Sequence, residues 1–391
     1  MSSPPVILLG GDTTALSIAR SLGRAGVAVH GIGVTRWAAA SRHISVIEVP
    51  PGAAPEDAWA QLLLGPATEA LRGAVVLGTS DVGLMVLLRH RTALLERFRL
   101  DDADVTAQME MLDKLSTYER AREAGVPTPL FWRIDTPEDL DRHREALVYP
   151  LIVKPLLSHE FKARFPGQRK FLVAADFAEL RAAHAELAAA GLAVMLVEKI
   201  PSSDEQLCSY STYIDPGGNP TYDYTKRVIR RFPPNEGMAT SHVTDRNEEV
   251  KEVALRLVKH VGLRGLACVE FVHDLRDDRL KLIECNARFS AANPLVQAAG
   301  LDLARHVYER AAGRPHELPA TYRTGLRMLY PVDDFRSFLV LRRRGELTFG
   351  QWVRSVAHRQ VLPVFRADDP LPAVARALLR AANILRLPVR G

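Results

Sequence analysis

The chain has 391 residues, of which 47% are hydrophobic and 25% charged, with a formal net charge of +5. That length suits two or three globular domains, and the composition excludes disordered and fibrous classes. The charge is uneven: residues 336–391 hold eleven arginines, no lysine and three acidic residues, a local balance of +8, so the preceding residues sum to −3. With the basic character confined to the tail and no nucleic-acid motif or basic-aromatic stripe, a nucleic-acid partner is not expected. No apolar run approaches bilayer length and no signal-type segment opens the chain, so the expected location is cytoplasmic. Cys208, Cys268 and Cys285 lack metal spacing and read as reduced, buried thiols.

Residues 5–110 alternate strand and helix, from PVILLGG through TTALSIARSLGRAG and VAVHGIGV to AVVLGTSD and VGLMVLLRHR. That alternation predicts a doubly wound α/β domain with a parallel sheet. The opening GGDTTA lacks the spacing of GxGxxG, and no acidic residue closes the second strand, which argues against a dinucleotide site. Gly10, Gly11 and Asp12 at a helix start could hold an anionic substrate, and Ser80 and Asp81 could line the same crevice.

From residue 111 the pattern changes. MLDKLSTYERAREAG reads as one amphipathic helix closed by Gly125, and YPLIVKPL as a strand that carries Lys154 in an apolar stretch. A buried lysine wants an anion; at a strand end it can also reach water. LAVMLVEKI ends in Glu198 and Lys199, a polar pair able to face an adenine ring, before SSDEQ and the strand LCSYSTYID.

Two later strands carry the most chemistry. In LKLIECNARF, residues 280–289, the period of two sets Glu284, Asn286 and Arg288 on one face and Ile283, Cys285, Ala287 and Phe289 on the other. Upstream, LACVEFVHD carries Glu270 in an apolar run, and the polar turn DLRDDR predicts an antiparallel hairpin between the two strands. Glu270 and Glu284 would then sit side by side and repel unless a cation lies between them. With the Asn286 carbonyl this makes an all-oxygen set, suited to Mg²⁺ or Mn²⁺ and unsuited to zinc. Magnesium of this kind shares its shell with phosphates.

In this order, DKL with Lys114, LIVKP with Lys154, VEKI with Glu198, VEF with Glu270 and IECNAR with Glu284, Asn286 and Arg288 resemble the ATP-grasp superfamily. TKRVIRRFPP followed by EGMAT looks like its carboxylate–amine ligase branch, which includes the D-aspartate ligases. The resemblance covers roughly residues 5–315. It implies an α/β protein: a Rossmann-like pre-ATP-grasp domain at 1–110, a two-part α+β ATP-grasp fold at 111–200 and 201–320, and a basic helical C-terminal extension at 321–391. It further implies that Lys114 and Lys154 hold ATP phosphates, and that Glu198, Lys199 and the Ile200 backbone meet the adenine. Asp204 or Glu205 would bind ribose, Glu270, Glu284 and Asn286 would hold two Mg²⁺ ions, and Arg288 would stabilise the transferring phosphoryl. Arg227 and Arg230 look like phosphate or carboxylate clamps, Arg230 the better of the two. The glycine-rich lid of many members is replaced by SHEFKARFPGQRKF, where Lys162, Arg164, Arg169 and Lys170 could neutralise triphosphate by side chains.

The implied reaction activates a small-molecule carboxylate as an acyl phosphate and joins it to an amine, releasing ADP and phosphate. A carboxylase using bicarbonate and a non-catalytic binding module are the rival readings. Members are often dimers, which makes a homodimer admissible. In residues 371–387, Val374, Leu378, Ala381 and Leu385 recur at helical spacing, with Arg376 and Arg380 on a different face. That helix could pack on the core, or lie on an anionic membrane surface.

Overall fold

The computed structural model describes residues 3–52, 54–165 and 171–386, and the chain forms two compact units. Neither unit is one stretch of chain: the first comprises residues 1–102, 288–322 and 361–391, the second residues 103–287 and 323–360.

The first unit contains a sheet of five parallel strands, β1 (Val6–Leu9), β2 (Val29–Ile32), β3 (Ser45–Ile47), β4 (Val75–Gly78) and β5 (Arg99–Leu100), in the order β3-β2-β1-β4-β5. The near-continuous apolar run of β1, buried throughout, is what a parallel strand covered on both faces requires. Ile7, Leu9, Ile32, Trp59, Leu63, Val76, Val86 and Phe98 form a core on this sheet. The returning segment is tied in by a buried ion pair: Arg20 Nε lies 2.9 Å from Asp369 Oδ2, and Ser41 Oγ donates to the same oxygen at 2.7 Å.

The second unit contains two sheets. The smaller consists of β6 (Phe131–Ile134), β7 (Leu151–Pro155), β8 (Leu172–Ala174) and β9 (Val194–Glu198), antiparallel in the order β6-β9-β7-β8. Leu151, Val153, Leu180, Leu187 and Leu196 pack its core against the helix Phe177–Ala189. The larger sheet has seven strands, β10 (Leu207–Ile214), β11 (Tyr224–Phe232), β12 (Met238–Asp245), β13 (Gly265–Asp274), β14 (Arg279–Asn286), β15 (Arg327–Leu329) and β16 (Gln360–Val361), in the order β14-β13-β10-β11-β12-β15-β16.

The expected single helix over MLDKLSTYERAREAG is two. One helix ends at Leu112 and another, Lys114–Glu123, begins where the Asp113 carboxylate accepts from Ser116 N at 2.7 Å. An aspartate satisfies the new helix's free N–H groups, so the chain turns there. As a result Lys114 stands at a helix start.

Candidate active site

The hairpin read from the sequence is present. β13 and β14 are antiparallel, with Glu270 opposite Glu284 and Cys268 opposite Asn286. The register continues across the sheet: Ser209 on β10 pairs with Glu270, and Lys226 on β11 pairs with Ser209. Directly paired residues share a face. Lys226, Ser209, Glu270 and Glu284 therefore form one lateral row over four strands, with Asn286 two residues along. Asn286 Nδ2 donates to Glu284 Oε1 at 3.0 Å, which leaves the amide oxygen pointing elsewhere.

This row is well buried at its basic end, where Lys226 is 5% and Ser209 1% exposed. Ser209 Oγ has no hydrogen-bond partner among the described residues, although buried hydroxyls normally find one. A lone hydroxyl between a lysine and a carboxylate pair suits a phosphate or hydrated-cation partner. The donor set is oxygen throughout, which fits a hard divalent cation, and the two carboxylates would share it. His242, paired with Val228 on the Lys226 face, is held neutral, first by burial and then by the Lys226 charge.

The smaller sheet and its helix reach this strand. Lys154 Nζ donates to the Ile283 carbonyl at 3.1 Å and lies 5.3 Å from the centre of the Tyr118 ring. Tyr118 Oη donates to the same carbonyl at 3.2 Å. Burial foremost, and then the Glu284 carboxylate, push the Tyr118 phenol upward. Lys114 Nζ donates to Leu156 O at 3.2 Å, one residue beyond β7. Both lysines are thus seated by carbonyls.

At the far end, Glu198 is buried, accepts from Leu130 N at 3.2 Å and pairs with Arg276 at 2.6 Å. Arg276 is itself held by Asp274, whose carboxyl is driven well below the usual range, chiefly by the Arg276 hydrogen bond. Lys199 turns to Glu236 at 3.0 Å, and Ile200 is buried. Asp204 takes Arg231 N at 2.7 Å, Arg231 Nε at 2.6 Å and Asn235 N at 2.9 Å, so both its oxygens are engaged. Of the two acids expected near a ribose, Glu205 is the exposed one.

Arg227 and Arg230 are not brought to the carboxylate row. Arg227 pairs with Cys208 and Val243, and so faces the other side of the sheet from its neighbour Lys226. An irregularity at Ile229 puts Arg230 opposite Ser241, on that same other side. There its guanidinium makes a bidentate pair with Asp334 at 2.8 and 2.9 Å. Arg288 follows β14 but belongs to the first unit, where it pairs with Asp81 through Nε. Asp81 opens a helix whose Ser80 cap accepts from Gly83 N at 3.1 Å. Gly10 has φ 73°, and a Cβ there would lie 2.3 Å from Ser80 Oγ, so this turn admits only glycine. In the basic segment, Arg169 and Lys170 lie outside the described residues, as does the Lys162 side chain; Arg164 is exposed.

Lys226 and Ser209 were missed by the sequence reading. The available signal was a lysine inside the strand YTKRVIRRF, where burial of a cation needs an anion. Burial also raises the thiols of Cys208 (to about 12), Cys268 and Cys285, so none is a ready nucleophile.

A family model described as the carbamoyl-phosphate synthase L chain, ATP binding domain, matches residues 238–318, which contain both glutamates and Asn286. The chain is 23% identical over 338 residues to the D-aspartate ligase of Enterococcus faecium, covering 81% of this chain and 79% of that protein. Among solved structures, it superposes with TM-score 0.65 on an ADP complex of N5-carboxyaminoimidazole ribonucleotide synthetase, at 14% identity, over 88% of this chain and 86% of that one. An L-amino acid ligase from Bacillus licheniformis gives TM-score 0.60 at 17% identity, over 81% and 76% of the two chains. The chain carries an ATP-grasp family domain. Over most of its length the chain is thus similar to a D-aspartate ligase, and it shares its fold with an L-amino acid ligase.

Proposed function

We propose that the protein is an ATP-dependent, ADP-forming ligase that phosphorylates a carboxylate and joins the resulting acyl group to an amine. The observation that carries this is the row Lys226–Ser209–Glu270–Glu284 with Asn286, an all-oxygen cation cradle that ends in a buried lysine. Glu270, Glu284 and the Asn286 carbonyl would hold Mg²⁺. When bound, the metal neutralises phosphate charge and polarises the transferring phosphoryl.

The chain's own contribution is positioning and charge. A carboxylate approaching a triphosphate meets strong repulsion. Lysines seated on fixed carbonyls, as Lys154 and Lys114 are, can cancel it without reorganising during the reaction. Glu198 and the Ile200 backbone sit at the end of β9 as the adenine contacts, with Glu205 at the ribose. The carboxylate attacks the γ-phosphorus and ADP leaves; the amine then attacks the acyl carbon and phosphate leaves. Each step transfers a group directly between substrates, in keeping with the protonated cysteines. We place Arg288 at the transferring phosphoryl on the strength of its position two residues beyond Asn286.

The test is ADP release over a matrix of carboxylates and amines with mass spectrometry of the product, and with ¹⁸O carried from the carboxylate into phosphate. Turnover that needs both acid and amine and moves the label supports the ligase. Turnover that needs bicarbonate instead supports the carboxylase reading, which the likeness to N5-carboxyaminoimidazole ribonucleotide synthetase favours on fold alone. A protein that binds ATP and turns nothing over is the binding module.

A further inference from the structure

Two helices of the second unit, Pro331–Arg343 and Phe349–Val356, carry an outward apolar face that their packing does not use. They are fixed to the large sheet from behind. Asp334, fully buried, accepts from Arg230, from Thr240 Oγ1 at 3.1 Å and from Trp352 Nε1 at 2.9 Å, so one carboxylate ties both helices to β11 and β12. Phe338, 1% exposed, stacks on Trp352 with ring centres 4.9 Å apart and closes the space between the helices.

Outward, Val332 is 57%, Phe335 44% and Leu339 39% exposed. At 3.6 residues per turn these three fall within about 60° of arc, away from Asp334 and Phe338. The second helix extends the same surface: Phe335 lies 5.6 Å from Trp352, and Trp352 6.0 Å from Phe349, which is 56% exposed, followed a turn later by Val353 at 37%. A contiguous aromatic and aliphatic patch of this kind marks an interaction surface.

Its border decides the partner. Arg336, Arg342 and Arg343 flank the stripe on the helix wheel, and Arg344 and Arg354 stand beyond, all exposed. Between residues 331 and 359 there are six arginines against Glu346, Asp333, which lies 3.8 Å from Arg336, and Asp334, which is paired with Arg230. A second copy would bring two arginine borders together. A nucleic acid would be served by the arginines and would leave Val332 and Leu339 in water. An anionic lipid surface takes both parts, with apolar side chains among the acyl chains and arginines at the headgroups.

We infer that this helix pair is a peripheral docking face for an anionic membrane. No helix among the described residues is long and apolar enough to cross a bilayer, so the contact lies in the interface plane. The terminal helix Leu371–Arg386, where the sequence reading placed such a contact, exposes Leu371, Val374, Leu378 and Leu379 but no aromatic side chain among its described side chains, and sets Arg376 5.1 Å from the Trp37 ring centre. Among the described side chains, the helix pair adds exposed aromatic rings to its aliphatic ones.

The experiment is co-sedimentation of the full chain with vesicles of phosphatidylcholine containing 0 or 30% phosphatidylglycerol, at low and high salt. Binding to the anionic vesicles alone, weakened by salt, is expected. Leu339→Glu with Phe349→Glu should abolish it, with unchanged melting and unchanged ATP turnover in the absence of vesicles. Arg342→Glu with Arg343→Glu should weaken it by about thirtyfold or more and, being exposed, guards against a folding artefact. Four results each overturn the inference: no binding by the unmodified protein; binding indifferent to both double variants; a dimer in gel filtration that the apolar variant splits; or tighter binding to single-stranded DNA lost with the same arginines.

Discussion

On one face of the seven-stranded sheet Arg230 meets Asp334 in a bidentate pair that Thr240, Trp352 and Ser355 complete. On the other face Lys226, Ser209, Glu270 and Glu284 stand in a row where like charges adjoin and Ser209 Oγ has no partner among the described residues. Both faces hold buried charge, and sequence type alone would not separate them. Saturation does. Around Asp334 both carboxylate oxygens meet donors and the charge holds helices to a sheet; between Lys226 and the carboxylate pair the Ser209 hydroxyl meets none among the described residues, which is costly unless a ligand completes it. The comparison predicts that substitutions on the first face change stability and those on the second change turnover.

The largest expected effect is on stability. Arg230→Met leaves the Asp334 carboxylate buried without its main partner, and breaking such a pair costs roughly 3–5 kcal/mol. Denaturant melts should show that loss while turnover per folded molecule persists. A variant as stable as the parent but inactive would move Arg230 to the site, where the sequence reading had put it. Glu284→Gln should do the reverse: melting close to the parent, and Mg²⁺-dependent ATP turnover lowered on the order of 10²- to 10³-fold, as loss of a charge at the transferring phosphoryl implies. Full activity in that variant would remove the metal reading of the row.

The hairpin was legible because its evidence is local. Period two in LKLIECNARF and the polar turn predict the pairing of the two strands, while a one-residue irregularity at Ile283 sets Glu270 opposite Glu284. Lys154 was legible for a similar reason, as a cation in an apolar strand. The rest of the row was hidden by distance along the chain: Ser209 joins Glu270 from 61 residues upstream, through a strand order that no local pattern encodes. That Arg230, read as a phosphate or carboxylate clamp, turns away from the row was hidden on the same ground. Its partner lies 104 residues away, and a one-residue irregularity in β11 decides which face it takes. Asp204 differs again, since two of its three donors come from Arg231 near the end of β11 and the third from Asn235 in the corner that follows, and only the fold brings them together.

Between these extremes stands Lys154→Met, an apolar side chain of similar length. If the amine that now rests on the Ile283 carbonyl meets a phosphate when ATP binds, the variant loses a charge-assisted bond, about 1.5–3 kcal/mol, or roughly tenfold to a hundredfold in ATP affinity. Calorimetry with ADP and ATP separately would sharpen this. A loss for ATP alone assigns the lysine to the γ-phosphate, an equal loss for both assigns it to the inner phosphates, and no loss leaves it as a structural tie to β14.

The smallest effect is the most discriminating, because only an unsaturated group should behave this way. Ser209→Ala removes a hydroxyl that is 1% exposed and lacks a protein partner. A buried hydroxyl without a hydrogen bond is a desolvation cost, so its removal should leave melting unchanged or raise it slightly. Had Ser209 been part of a saturated network like that of Asp334, the same change would lower stability by orphaning a neighbour. If the hydroxyl instead serves a bound phosphate or a water on the cation, turnover should fall by about 1 kcal/mol, roughly fivefold, with the loss in ATP-dependent steps. Ser209→Ala that is both less stable and fully active would mean that the row is packed like the opposite face, and the distinction between the two would fail.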